Sequence, residues 1–180
     1  MYSRSIDEIF TIFLNNNFRN PLFDFLSMLI DNFFFMPIFF FSALYLIKKK
    51  SDDKILFLSS LISGCIVFIS SLLMKYVINR ERPYEYLKEI IFLVAQEDPS
   101  FPSLHSAVSF AVAYSVYRCN KKAGILFFAL SLFISYSRVY AGVHFVSDVI
   151  FGALIGVLSV NLIISKKEKI LSWTRKLNLK

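Results

Sequence analysis

Five long apolar stretches limit what this chain of 180 residues can fold into. A helix that crosses a bilayer needs ~20 mostly apolar residues. Only helices and closed barrels can satisfy their backbone polar groups there. The stretches run from about Pro21 to Ile47, Ile55 to Ile78, Ser103 to Tyr117, Ala123 to Tyr140 and His144 to Ile164. Asp31 and Pro37 interrupt the first. The third is short for a full crossing, so its first residues are expected to lie below the membrane surface, in a pocket. Residues 4 to 18 carry Ile6, Ile9, Phe10, Phe13 and Leu14 at helical spacing, the pattern of an interfacial helix. A sixth span there would be short and polar. The expected fold is all-α: a polytopic membrane helix bundle of about five to six transmembrane helices, with an N-terminal amphipathic interfacial segment.

Composition agrees. The chain is 56% hydrophobic and 18% charged, with a mean hydropathy of +0.58. A water-soluble domain of this size seldom carries so much apolar sequence. One domain over residues 1–180 is expected, with a helical core at 21–165 and a basic cytoplasmic tail at 166–180. The start, MYSRSIDEIF, lacks a charged-then-apolar leader, so no removable signal peptide is expected. Cys65 lies in an apolar run and Cys119 beside a basic one, and neither suggests a disulfide framework.

The net charge of +7 does not point to nucleic acid, because many basic residues sit in short runs beside the apolar stretches. These are Lys48 to Lys50, Arg118 with Lys121 and Lys122, and Lys166 to Lys180. With five spans all three runs fall on one side, which the positive-inside rule makes the cytoplasm. Three polar clusters then meet at the opposite face: Lys75 to Pro83, Pro102 to His105, and Ser137 to Asp148. Ionisable residues are costly in a membrane and mark function there. In the tail, Ile170, Leu171, Trp173 and Leu177 suggest a cytoplasmic surface helix with its apolar side toward lipid.

Lys75 and Arg82 are seven residues apart, which two helical turns would bring near one face. Snorkelling to the headgroups is the plainer reading of both, and Arg80 and Lys88 read as ordinary interface charges. Pro83 disfavours continued helix. Pro102-Ser103 reads as a helix start, where free N–H groups favour an anion, although Ser103 could equally be a simple N-cap. His105 follows just inside that helix. Asp148 lies one turn after His144, so its carboxylate can accept the imidazole Nδ1–H and leave Nε2 free to attack. Two histidines and a carboxylate also suit zinc or iron. The cations around them would repel a divalent ion, so no metal is expected.

In residue type, spacing and order these clusters resemble the signature of the type 2 phosphatidic acid phosphatase superfamily. Lys75, Arg82 and Pro83 match its first element, Pro102, Ser103 and His105 its second, and Ser137, Arg138, His144 and Asp148 its third. Leu104 departs from it, standing where the family usually has Gly. A helix-start backbone accepts Leu without a positive φ, so activity is expected to survive.

The resemblance implies a phosphatase working through a phosphohistidine, without a cofactor. His144 would attack phosphorus, Asp148 would stabilise the cation that forms, and His105 would act as general acid and then base. Lys75, Arg82, Ser103 and Arg138 would hold the phosphate oxygens. The expected partners are a lipid phosphate substrate and membrane lipids, with no nucleic acid and no obligate protein partner. The expected place is the cell membrane, with the site facing the periplasm or exterior. Relatives of this layout act on lipid A 1-phosphate, undecaprenyl diphosphate or phosphatidylglycerol phosphate, and the sequence does not rank them. Two other readings share the fold. Vanadium haloperoxidases resemble soluble proteins, which the apolar spans disfavour. A non-catalytic phospholipid-binding or transport protein would need only the cations, not the histidine pair.

Overall fold

The computed structural model describes residues 4–31, 41, 43 and 54–177, with side chains described over 62–166 in the last stretch. Seven helices and no strand occur among the described residues. They are α1 (Ile6–Asn16), α2 (Pro21–Asp31), α3 (Lys54–Ile78), α4 (Pro83–Tyr86), α5 (Leu104–Cys119), α6 (Lys121–Tyr140) and α7 (Val146–Leu177). Three stretches are long and apolar enough to cross a membrane: Ile62–Tyr86, Lys121–Tyr140 and Val146–Lys166. Much of the first expected span, including Pro37, and the Lys48 to Lys50 run lie outside the described residues.

The bundle is sorted by side-chain size. Buried positions on α5 and α6 are rich in Ala and Ser: Ala107, Ala111, Ala113, Ser106, Ser109, Ser131 and Ser135. Large apolar residues such as Phe68, Leu73, Leu126, Leu132, Leu154 and Leu162 point outward. Helices in lipid gain nothing by hiding Leu from hydrocarbon, so small residues go to the interfaces, where backbones can approach. Several buried hydroxyls on these two helices are satisfied within their own helix. Ser115 donates to the Ala111 carbonyl at 2.9 Å and Ser131 to the Phe127 carbonyl at 2.8 Å.

α5 is the central helix, packed against α3, α6 and α7. Its 16 residues span about 24 Å at 1.5 Å per residue, less than the ~30 Å hydrocarbon core. Its seam with α7 is a close backbone contact. A Cβ on Gly156 would lie 2.2 Å from the Ala107 carbonyl oxygen and 2.9 Å from the Ala111 nitrogen. Only glycine permits that approach.

Both ends of the bundle have a distinct chemistry. Arg118, Lys121 and Lys122 flank the α5–α6 junction at Asn120. The N-termini of α5 and α7 and the C-terminus of α6, which carry the polar clusters, lie at the other end. The tail is helical through Leu177 as a direct continuation of α7, not a separate surface helix. The orientation expected for its Ile170, Leu171, Trp173 and Leu177 side chains lies outside the described residues.

α1 is amphipathic as its spacing indicates, but its polar side faces the protein. Glu8, Thr11 and Asn15 are buried, whereas Ile6, Ile9, Phe10 and Phe13 are exposed. Ser5 and Glu8 form a capping box that starts the helix.

Candidate active site

The three clusters converge through chain breaks rather than along one helix. α3 ends at Ile78 because Asn79 adopts a left-handed backbone, φ 47°, a conformation Asn tolerates better than most residues. Arg82 therefore does not share a helix face with Lys75; it caps α4, with Pro83 in the first turn. Its amide donates to the Glu85 carboxylate at 2.5 Å. What joins Lys75 and Arg82 is Asp98. Its carboxylate lies 2.8 Å from Lys75 Nζ and 2.8 Å from Arg82 Nη2. Arg82 also donates to the Asp98 carbonyl at 2.7 Å and to the Val143 carbonyl at 2.8 Å, and Lys75 donates to the Pro99 carbonyl. Lys75 and Arg82 are thus buried, not snorkelling, at 2% and 1% exposure.

Ser103 is the N-cap of α5, accepting from the Ser106 amide at 3.4 Å and from the Ser106 hydroxyl at 3.2 Å. Ser135 in turn donates to Ser106 at 2.8 Å. The Ser103 oxygen is used as an acceptor, so its own proton is left to give, and the capping and anion-binding readings coexist. Leu104 opens α5 without a positive φ, as a helix start allows. His105 is half-buried one position further in.

α6 delivers fully buried Arg138 and then stops. Gly142, at φ 77°, turns the chain where an added Cβ would meet Ile90 and the Ile91 carbonyl at 2.8 Å. His144 sits in the resulting loop, before the helix that its apolar stretch suggested it would begin; α7 starts at Val146. His144 Nδ1 faces Asp148 Oδ2 at 3.5 Å, too long for a formed hydrogen bond but within reach of one small shift. Burial, and then the charges of Arg82, Arg138 and Lys75, hold the His144 imidazole well below its usual range. The two histidines share this environment, since burial and then Arg138 also hold the His105 imidazole well below its usual range.

The two histidines and three cations lie within one another's electrostatic range. Arg138 Nη2 pairs with Asp31 Oδ1 at 2.6 Å, while Arg138 Nε and Nη1 and His144 Nδ1 have no hydrogen-bond partner among the described residues. Buried donors without acceptors are costly, and here they cluster beside the histidines. An open cavity of about 610 Å³, lined by Tyr76, Gln96, Glu97 and Asp98, adjoins the Lys75–Arg82 pair. Burial raises the Asp98 pKa, but Lys75 and Arg82 more than reverse this, leaving it below the usual carboxylate range.

Four residues of this constellation were not read as functional from the sequence. Arg80, expected to be an ordinary interface charge, grips Asp148 Oδ1 at 2.6 Å and stacks 3.8 Å above the Phe145 ring. Asp98, Asp31 and Asp7 pair with the cations. Asp31 carried a signal, since a carboxylate within an apolar stretch needs a partner.

This chain belongs to the PAP2 superfamily, whose sequence model matches residues 52–171. It is 29% identical over 118 residues to the bacitracin transport permease protein BcrC of Bacillus licheniformis, covering 65% of this chain and 58% of that protein. It is 32% identical over 139 residues to an undecaprenyl-diphosphatase of Sulfolobus acidocaldarius, covering 76% of this chain and 65% of that protein. The chain thus spans about three-fifths of the length of these two relatives. The crystal structure of Aquifex aeolicus LpxE superposes with a TM-score of 0.72 at 25% identity, over 91% of this chain and 97% of that one. With three spanning stretches and this kinship, the chain is an integral membrane protein.

Proposed function

We propose that this chain is a lipid phosphatase that transfers the phosphoryl group through a phosphohistidine on His144. The observation that carries the reading is the grouping of Lys75, Arg82 and Arg138, all buried, with a buried His144 that faces Asp148. In the first step His144 Nε2 attacks phosphorus as the bond to the lipid oxygen breaks. His105 gives its proton to that oxygen. In the second step His105 takes a proton from water, whose oxygen attacks the phosphohistidine and frees inorganic phosphate. Asp148 stabilises the imidazolium character of His144. The cations and the Ser103 hydroxyl hold the equatorial oxygens. Charge neutralisation by three side chains leaves no step that requires a metal.

The substrate is a lipid phosphomonoester or diphosphate whose tail lies against the apolar bundle. The 32% likeness to an undecaprenyl-diphosphatase makes a polyprenyl diphosphate the first to assay. The whole chain forms one catalytic domain in the cell membrane, and the site faces away from the basic end, toward the exterior or periplasm. The reading is tested by phosphate release in detergent from polyprenyl diphosphate, phosphatidylglycerol phosphate and lipid A 1-phosphate, with and without EDTA. Turnover that survives EDTA is expected, with an acid-labile phosphoenzyme that His144→Ala lacks. Turnover lost to EDTA and restored by one divalent metal would contradict it.

A further inference from the structure

α1 lies outside the residues matched to the family, yet it reaches the candidate catalytic carboxylate through a chain of polar contacts. Asp7 Oδ2 pairs with Arg80 Nη2 at 2.8 Å. Arg80 Nη1 pairs with Asp148 Oδ1 at 2.6 Å and donates to Ser147 Oγ at 2.7 Å. The other oxygen of Asp148, Oδ2, accepts from the Phe145 amide at 2.8 Å and faces His144. Asp7 also accepts from the Ser147 amide at 2.9 Å and the Ser147 hydroxyl at 2.5 Å. One turn along α1, Thr11 accepts from the Val146 amide at 3.1 Å. Asp7 and Thr11 therefore satisfy two of the free N–H groups at the start of α7. That first turn carries Asp148.

We infer that Asp7 is a positioning residue for the phosphatase reaction: it shares the Arg80 guanidinium with Asp148 and so sets how firmly Asp148 holds His144. The inference rests on the proposed phosphohistidine reading. Arg80 lies between two carboxylates and is fixed from below by the Phe145 ring. While Asp7 takes part of its charge, Asp148 keeps acceptor strength for the imidazolium forming at His144. With Asp7 neutral, Arg80 draws on Asp148 alone and pulls its carboxylate away from His144. The pattern also explains the inverted amphipathy of α1. Asp7, Thr11 and Asn15 recur every fourth residue, and each grips backbone or side chains of the site loops.

The test compares wild type with Asp7→Asn in the full chain, in detergent, by steady-state and single-turnover phosphate release. Loss of a residue that orients a metal-ligating side chain costs on the order of 10–100-fold in metal affinity or activity, and Asp7 orients Asp148 in the same indirect way. The expected result is a loss of that size in kcat and in the rate of phosphoenzyme formation. KM should stay within about twofold, because the phosphate-binding cations are untouched. Asp7→Glu, which restores the charge, should recover much of the loss. A purely structural Asp7 would lower the thermal midpoint and leave the single-turnover rate per folded molecule unchanged; that outcome overturns the proposal. If Asp7→Asn does not fold, Arg80→Lys serves instead, since an ammonium cannot bridge both carboxylates as the planar fork does. A kcat loss at unchanged KM supports the proposal, and unchanged kcat overturns it. An inactive wild type overturns the phosphatase reading and this inference together. An active wild type indifferent to Asp7→Asn overturns the inference alone.

Discussion

Under the proposed function, Asp98 mimics the ligand of its own site. Its carboxylate sits between Lys75 and Arg82 at 2.8 Å from each, where phosphate oxygens would bind, and its side chain is 42% exposed toward the open cavity. A bound phosphate must therefore compete with it. Loss of one charge-assisted contact of roughly 1.5 kcal/mol corresponds to roughly tenfold in affinity. Asp98→Asn should therefore lower the inhibition constant of inorganic phosphate by about that factor, measured in the phosphate-release assay. A higher constant would show instead that Asp98 holds the two cations in place for the ligand. The histidines make a second prediction at this scale. His105→Ala should slow phosphomonoester turnover by ~10²–10⁴-fold. The loss should be smaller for a diphosphate, because a lipid monophosphate leaves with less help from a proton than a lipid alkoxide. His144→Ala should abolish both activities. Equal losses for the two substrates in His105→Ala would contradict its role as the acid.

Among the elements, α5 and α7 carry Ser103, His105 and Asp148 on helices that touch backbone to backbone. The Ser103 amide donates to the Asp148 carbonyl at 3.1 Å. The seam depends on Gly152 and Gly156 of α7 lying against Ser103, Ala107 and Ala111 of α5. Overpacking of such a contact costs roughly 1–3 kcal/mol, and here it must also part the two halves of the site. Gly156→Val should lower the thermal midpoint in detergent and reduce kcat in the protein that remains folded. A variant with wild-type melting and turnover would show that the seam can open without consequence. Gly124, at the far end of the bundle, is just as crowded, by Tyr117, and serves as the comparison. Gly124→Val should cost stability with a smaller effect on kcat per folded molecule.

At the scale of the whole molecule, charge separates the two ends. Arg118, Lys121 and Lys122 lie at one end of the bundle, and the cation–histidine site lies at the other. If the positive-inside rule governs insertion, exposed Glu97 faces outward and exposed Lys122 faces the cytoplasm. In a background lacking Cys65 and Cys119, Glu97→Cys should react with an impermeant thiol reagent in intact cells. Lys122→Cys should react only once the membrane is opened. The reverse pattern would invert the topology and place the site on the cytoplasmic side.

The apolar stretches by themselves determined an all-helical membrane bundle, because only lengths near bilayer thickness can hide their backbone polar groups. The start of α5 at Ser103 was equally legible, since it depends on one cap; Asp148 was expected one helical turn after His144, and the two lie 3.5 Å apart although His144 precedes the helix. Helix ends were less so. Asn79 stops α3 through its own backbone conformation, which moved Arg82 off the face of Lys75, and Gly142 left His144 in a loop. Contacts between distant segments were not legible at all. Asp98 bridges two cations 23 and 16 residues before it. Asp7 reaches Arg80 and Ser147 from a helix whose apolar spacing alone suggested only a surface anchor. Such pairs are chosen by burial: a cation removed from water must find a carboxylate, and only the folded bundle decides which carboxylate is near enough.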